Sequence, residues 1–203
     1  MICFILTSIN PMDKANHPDV VATEDPAKRL EGLRFEFPDF EGVKVGPLGH
    51  LAEERSRLHA LKWKNFDASM LGATIGAEIT GVDLTSDLPS EVSTEIKEAL
   101  LAYKVIFFRN QQITSDAHLS FARTFGDLEI HPFIPSNTEN PELVRFEKGA
   151  DTGGYENTWH HDVTWRKNPS KVAVLRALSV PQTGGDTMFA DMHAAYEGLE
   201  DSM

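Results

Sequence analysis

The sequence predicts an α+β to mostly β domain of the jelly-roll kind, with helices flanking the sheets. Three observations predict it: two amphipathic helical patterns come first, short β-rich runs follow, and a glycine turn joins the last two runs. At 203 residues the chain holds one domain with an extension, enough to bury a substantial core.

Each element has a local reason. Residues 1–60 read as an N-terminal extension, partly irregular, because from residue 12 onward they are polar, carry scattered Pro and Gly, and show no sustained period. Ile2–Leu6 is apolar but too short to span a membrane or form a signal core, and Met12 opens a more polar stretch that would serve equally well as a start. Residues 61–203 form the folded part. Ala73–Leu84 suggests a strand, a glycine turn and a second strand. Ser90 reads as an N-cap with Glu91 in the first turn, and Val92, Ile96, Leu100 and Tyr103 follow at helical spacing. Val105–Phe108 is a short buried strand. A second helix begins near Thr114 or Ser115, buries Ala117, Phe121, Ala122 and Phe125, and stops at Gly126. Strand-like pieces follow at Ile130–Ile134, Leu143–Phe146, Trp159–Trp165, Val172–Leu178 and Thr187–Ala190. The last two are joined by the turn Gln182–Asp186, and Asp191 caps a helix through about Leu199.

Composition narrows the function. The formal charge of −12 leaves no basic face for phosphate backbones, so nucleic acid is not the partner, and no segment is a membrane span. A single cysteine, Cys3, excludes an internal disulfide and fits a reducing, cytoplasmic setting. The expected partner is a small-molecule substrate; a homo-oligomer is compatible with the composition.

The chemistry concentrates in Trp159-His160-His161-Asp162-Val163-Thr164-Trp165. In a strand, His160 and Asp162 share one face with Cα atoms roughly 6.5–7 Å apart, so an imidazole and a carboxylate can close on one metal ion, while His161 faces away. With one further His, this is the ligand set of non-haem Fe(II) oxygenases. The preceding stretch 147–158 is a Gly- and acid-rich loop, and Trp159 and Trp165 flank the pair where they could keep water out. His17, His50 and His59 have no ligand-like neighbours and read as surface residues; His118, on the second helix, reads as structural.

Taken together, these blocks resemble the taurine dioxygenase / 2,4-dichlorophenoxyacetate dioxygenase family of Fe(II)- and 2-oxoglutarate-dependent oxygenases. The matching stretches are Gly76–Leu84, Val105–Gln111, Phe121–Leu128, His131-Pro132, Trp159–Trp165 and Gly184–Thr187, in the family's order and spacing over about residues 65–200. The resemblance implies a double-stranded β-helix, a jelly-roll variant, with flanking helices. It implies Fe(II) bound by His160 and Asp162, 2-oxoglutarate held in part by the Thr187 hydroxyl, O2 as cosubstrate, and a substrate pocket that includes His131 and Val163. The reaction implied is hydroxylation of a small organic substrate with release of succinate and CO2. A carbon bearing a sulfonate, sulfate or aryloxy group then collapses to a carbonyl.

The sequence also departs from the family. Taurine-specific members carry a Tyr three residues after the His that matches His131; here Ile134 stands there. They carry an Asn four residues before the first metal ligand; here that is Glu156, with Asn157 adjacent. Glu156 would repel a sulfonate, so a larger or less polar substrate than taurine is expected. The family's third His ligand and its 2-oxoglutarate Arg fall later than this sequence runs, and His193 lies on a helix, not on a late strand. The chain thus resembles a truncated, N-terminal portion of a family member, expected to bind iron weakly and turn over slowly by itself. Two rivals are a non-catalytic jelly-roll binding protein with a degenerate metal site and a metal-dependent hydrolase using His160, His161 and Asp162.

Overall fold

A computed structural model describes residues 2–7, 51–134, 136, 138–146, 159–183 and 185–199. The strands are β1 (Ile2–Thr7), β2 (Asp67–Met70), β3 (Ala77–Thr80), β4 (Val105–Arg109) and β5 (Val172–Ala177), and the helices are α1 (Leu51–Ala60), α2 (Ser90–Tyr103), α3 (Ser115–Arg123) and α4 (Met192–Glu197). The strands form one sheet in the order β2-β3-β4-β1-β5. β2 and β3 are antiparallel, with Met70 opposite Ala77, whereas β3 with β4, β4 with β1 and β1 with β5 are all parallel.

Parallel neighbours cannot be joined by a tight turn; the chain must leave the sheet and return, usually through a helix. Residues 81–104 make that return between β3 and β4, and α2 is its main part. Ile96, Ala99, Leu100 and Tyr103 are buried, the i, i+3, i+4, i+7 stripe of a helix lying on a sheet. They meet Ala77 and Ile79 of β3 and Ile106 and Phe108 of β4, and Leu58, Phe66, Leu84, Ile113 and Phe121 complete the cluster. Phe108 meets Phe121 edge-to-face at 5.8 Å.

Polar contacts fix the connections. The Gln111 carboxamide accepts from Leu84 N (2.9 Å) and donates to Val82 O and Arg109 O, so one side chain ties the loop after β3 to the end of β4. The Glu95 carboxylate accepts from the backbone of Lys64 and Asn65 and from the Asn65 side chain, holding the segment before β2 against α2. Thr114 caps α3 by accepting from Ala117 N at 3.1 Å.

Several elements differ from the sequence expectation. The first strand of the early pair is Asp67–Met70, and residues 71–75 form the bend between the strands. Ala73 and Ile75 suggested a strand by residue type, but the residues that pair with β3 are the four before the bend. Helix α2 begins at Ser90 with Pro89 in the cap position, a one-residue shift of the kind helix ends commonly show. Ile130–Ile134, Leu143–Phe146 and Thr187–Ala190 are not regular strands. Ile130, Phe133, Phe146 and Met188 there are exposed, and among the described residues none of these runs joins the sheet. Within the stretch read as an extension, Leu51–Ala60 is a helix with Leu58 in the core, and Ile2–Thr7 lies inside the sheet. His59 is exposed, as expected; His17 and His50 lie outside the described residues. Among the described residues, no helix is long and apolar enough to cross a membrane.

His118, on α3, packs against β5 with Nε2 at 3.1 Å from Val174 O. Burial pushes its pKa below the ordinary 6.5, the Val174 carbonyl works the other way, and the Arg176 charge adds to the lowering. The unfolded chain therefore takes up this proton more readily than the folded one. The contribution of His118 to stability is complete above about pH 6.5 and is lost as the pH falls below it. The thermal midpoint should drop between pH 7.5 and pH 5.5, and His118→Gln should show a smaller drop over the same interval.

Candidate metal centre

His160 and Asp162 come together, though not as neighbours on a strand. Residues 159–161 are irregular and 162–165 form a turn. The turn brings His160 Nε2 to 3.3 Å from Asp162 Oδ1, with both side chains about half exposed. The strand expectation for Trp159–Trp165 is thus corrected. Val163 sits at φ 57°, a left-handed conformation that closes the turn and that a strand does not contain. His161 turns its Nδ1 to Asp162 O at 3.0 Å, an arrangement made by the turn and not by strand alternation.

A network anchors this turn to residues 129–134. Arg166 pairs with Glu129, and Ser170 Oγ donates to the other Glu129 oxygen at 2.9 Å. The Arg166 guanidinium lies 4.9 Å from the Trp165 ring centre, and Trp165 meets Phe133 at 5.6 Å. His131 lies on the anchored segment. Its Nδ1 accepts from the backbone N–H groups of Phe133 and Ile134 at 3.2 and 3.1 Å, which directs Nε2 to any further contact.

The remaining predicted residues are dispersed. Thr187 is exposed on the irregular stretch 185–190, just after Gly185, whose φ of 72° confirms the need for glycine in that turn. His193 is exposed on α4, as expected. Glu156, Asn157, Gly184 and the whole of the loop 147–158 lie outside the described residues. Among the described residues no third His, Cys, Asp or Glu joins the His160–Asp162 pair.

Residues 67–203 match the family described as taurine catabolism dioxygenase TauD, TfdA family. The chain belongs to this family. An alkylsulfatase of Acinetobacter baylyi is 42% identical over 130 residues, covering 64% of this chain and 40% of the relative. An alpha-ketoglutarate-dependent sulfate ester dioxygenase of Pseudomonas putida is 37% identical over 146 residues, covering 71% of this chain and 47% of the relative. The crystal structure of AAD-2 in complex with Mn(II) and N-oxalylglycine superposes with a TM-score of 0.50 at 30% identity, covering 68% of this chain and 47% of that one. The chain spans about half the length of the curated relatives it matches. TauD/TfdA dioxygenases use Fe(II), 2-oxoglutarate and O2.

The geometry of the pair suits such an ion. Two donors each roughly 2.1 Å from a metal and at right angles to one another stand about 3 Å apart. The 3.3 Å between His160 Nε2 and Asp162 Oδ1 is within reach of that spacing, and one imidazole and one carboxylate are the donor types that non-haem Fe(II) takes.

Sequence reasoning missed the Glu129–Arg166–Ser170 anchor, since nothing local marks a pair separated by 37 residues. It also missed the contact of Asp191 with Lys104 and Thr74, although Asp191 itself was legible as a helix cap.

A β-branched residue in the left-handed region costs about 1–2 kcal/mol, and Asn tolerates it better. Val163→Asn should raise the unfolding free energy by about 1 kcal/mol, read as a higher urea midpoint at unchanged slope. A loss of stability would mean that Val163 is extended, as in a strand.

Proposed function

We propose that residues 61–203 are the N-terminal portion of a jelly-roll dioxygenase dependent on Fe(II) and 2-oxoglutarate, cytoplasmic, acting on a small organic sulfate or sulfonate. The observation that carries this is the His160–Asp162 pair at 3.3 Å, inside the segment that matches the family. Taken alone, this portion is expected to turn over weakly, because its described residues offer two protein donors and not three.

In this reading His160 and Asp162 would hold Fe(II). When bound with 2-oxoglutarate and O2, the metal supplies the oxidation: the 2-oxo acid becomes succinate and CO2 and one oxygen atom enters a substrate C–H bond. Asp162 contributes the negative charge that favours a divalent ion. The Thr187 hydroxyl would donate to the distal carboxylate of 2-oxoglutarate. His131, through Nε2, and Val163 would face the substrate; Glu156 and Asn157 are proposed to bear on its choice by sequence position alone. The Glu129–Arg166 anchor keeps the His131 segment against the turn that carries the metal ligands.

The relatives at 42% and 37% identity are named for sulfate esters, which supports an alkyl sulfate over taurine. Ile134 agrees, since it puts an apolar side chain where taurine-specific members carry a polar contact. For an alkyl sulfate, oxygen insertion at the carbon beside the ester oxygen gives an unstable hydroxy sulfate. Its C–O bond then breaks to release the aldehyde and hydrogen sulfate.

The test is O2-dependent succinate formation from 2-oxoglutarate with an alkyl sulfate present. His160→Ala and Asp162→Ala should each lower the rate on the order of 100-fold or more. Thr187→Val should raise the 2-oxoglutarate KM about tenfold, the loss of one hydrogen bond to a charged group. Equal rates in wild type and the two ligand variants would sink the proposal. The absence of succinate under every condition would favour the non-catalytic binding protein.

A further inference from the structure

Three parts of the chain meet at the Asp191 carboxylate, and a fourth joins them through Lys104. Its Oδ1 accepts from Ala194 N at 3.0 Å and caps α4. Its Oδ2 accepts from Thr74 Oγ1 at 2.7 Å and pairs with Lys104 Nζ at 3.2 Å. Lys104 Nζ also donates to Thr74 O at 2.8 Å and to Glu54 Oε1 on α1 at 3.4 Å. The Thr74 residue and the Asp191 side chain are nearly buried, at 4% and 9% exposure.

This is more than a six-residue helix needs. One side-chain oxygen suffices for an N-cap, and a neutral Asn caps as well as Asp does. Here the second oxygen is committed to a threonine 117 positions earlier. Lys104 is unusual on its own account. It follows α2 at φ 67°, a place that glycine fills with less strain. A side chain is kept there, and it reaches Glu54, Thr74 and Asp191 together.

What the junction holds is the strap of residues 185–191. The strap is irregular and exposed except at Phe189, which packs edge-on against Phe107 of β4 at 6.3 Å, and at Asp191. Thr187 lies two residues before the first anchor and four before the second, so it stays within about 7 Å and about 14 Å of them along the chain.

We propose that Lys104 and Thr74 are positioning residues for 2-oxoglutarate: by gripping Asp191 they fix the strap that carries Thr187. This rests on the reading of Thr187 given above. Neither residue touches the cosubstrate; both act through Asp191 and the backbone.

Lys104→Gly separates a positioning role from a merely structural one, because it removes the ammonium and relieves the left-handed backbone in one step. Its thermal midpoint should stay at that of wild type. Amide exchange of Thr187, Met188 and Phe189 should rise about tenfold while α2 and β4 keep their protection. Affinity for 2-oxoglutarate in the presence of Mn(II) should fall severalfold, and the loss should not add to that of Thr187→Val in the double variant. Asp191→Asn, which keeps the cap and loses the ion pair, should reproduce the result if Lys104→Gly folds poorly.

Unchanged strap exchange in both variants overturns the proposal, and so does faster exchange throughout the molecule with a lower midpoint. Faster strap exchange with full affinity, where Thr187→Val does weaken binding, overturns it while leaving the Thr187 reading intact. No effect of Thr187→Val on affinity overturns that reading first, and the proposal with it.

Discussion

The burial of α2 on β3 and β4 is the constraint from which the rest of the structure follows. Two parallel strands need a return path outside the sheet, and α2 supplies it while closing the core with Ile96, Ala99, Leu100 and Tyr103. Ile106 and Phe108 receive that stripe at 0% exposure. Phe121 then seats α3 on Phe108, and His118 brings α3 to β5. The end of α2 delivers Lys104 to the point where α1, the 71–75 bend and α4 converge. The same packing therefore sets both the sheet and the base of the strap that bears Thr187.

The described residues divide by burial. Among the residues whose burial is described, the fully buried apolar ones all lie between Leu58 and Phe121. After Phe121, large apolar side chains face outward, among them Phe133, Trp159, Trp165, Met188 and Tyr196. The site is built in this second part, where polar pairs and aromatic contacts do the holding: Glu129 with Arg166 and Ser170, Arg166 over Trp165, Trp165 on Phe133, and Phe189 on Phe107. Each is a modest contact by itself, and they act as a set of local ties.

That division explains what could be read from sequence. The helices α2 and α3 and the strands β4 and β5 were legible because a helix or strand lying on a core must repeat its apolar residues at 3.6 or at 2. Asp191 was legible as a cap because capping is chemistry within one turn. Beyond Phe121 the apolar runs at Ile130–Ile134, Leu143–Phe146 and Thr187–Ala190 have the composition of strands but join no sheet among the described residues, so residue type misleads. The Trp159–Trp165 segment failed for a related reason: β-formers fill it, yet long-range ties to Glu129 and a left-handed Val163 fold it as a turn. His160 and Asp162 still stand 3.3 Å apart, because a turn, like a strand, brings residues two apart close together. Lys104 and Thr74 were illegible, since their partner lies far along the chain and neither belongs to a local pattern.

The central claim is that His160 and Asp162 together bind the iron of a 2-oxoglutarate oxygenase. The most direct measurement is optical. Under strict exclusion of O2, Fe(II) at saturation followed by 2-oxoglutarate should give a weak visible charge-transfer band in the wild type. The band should be lost in His160→Ala and in Asp162→Ala, with the fold of each variant checked by circular dichroism. A band that persists in both folded variants, or that never forms in the wild type at saturation with both ligands, would contradict the account.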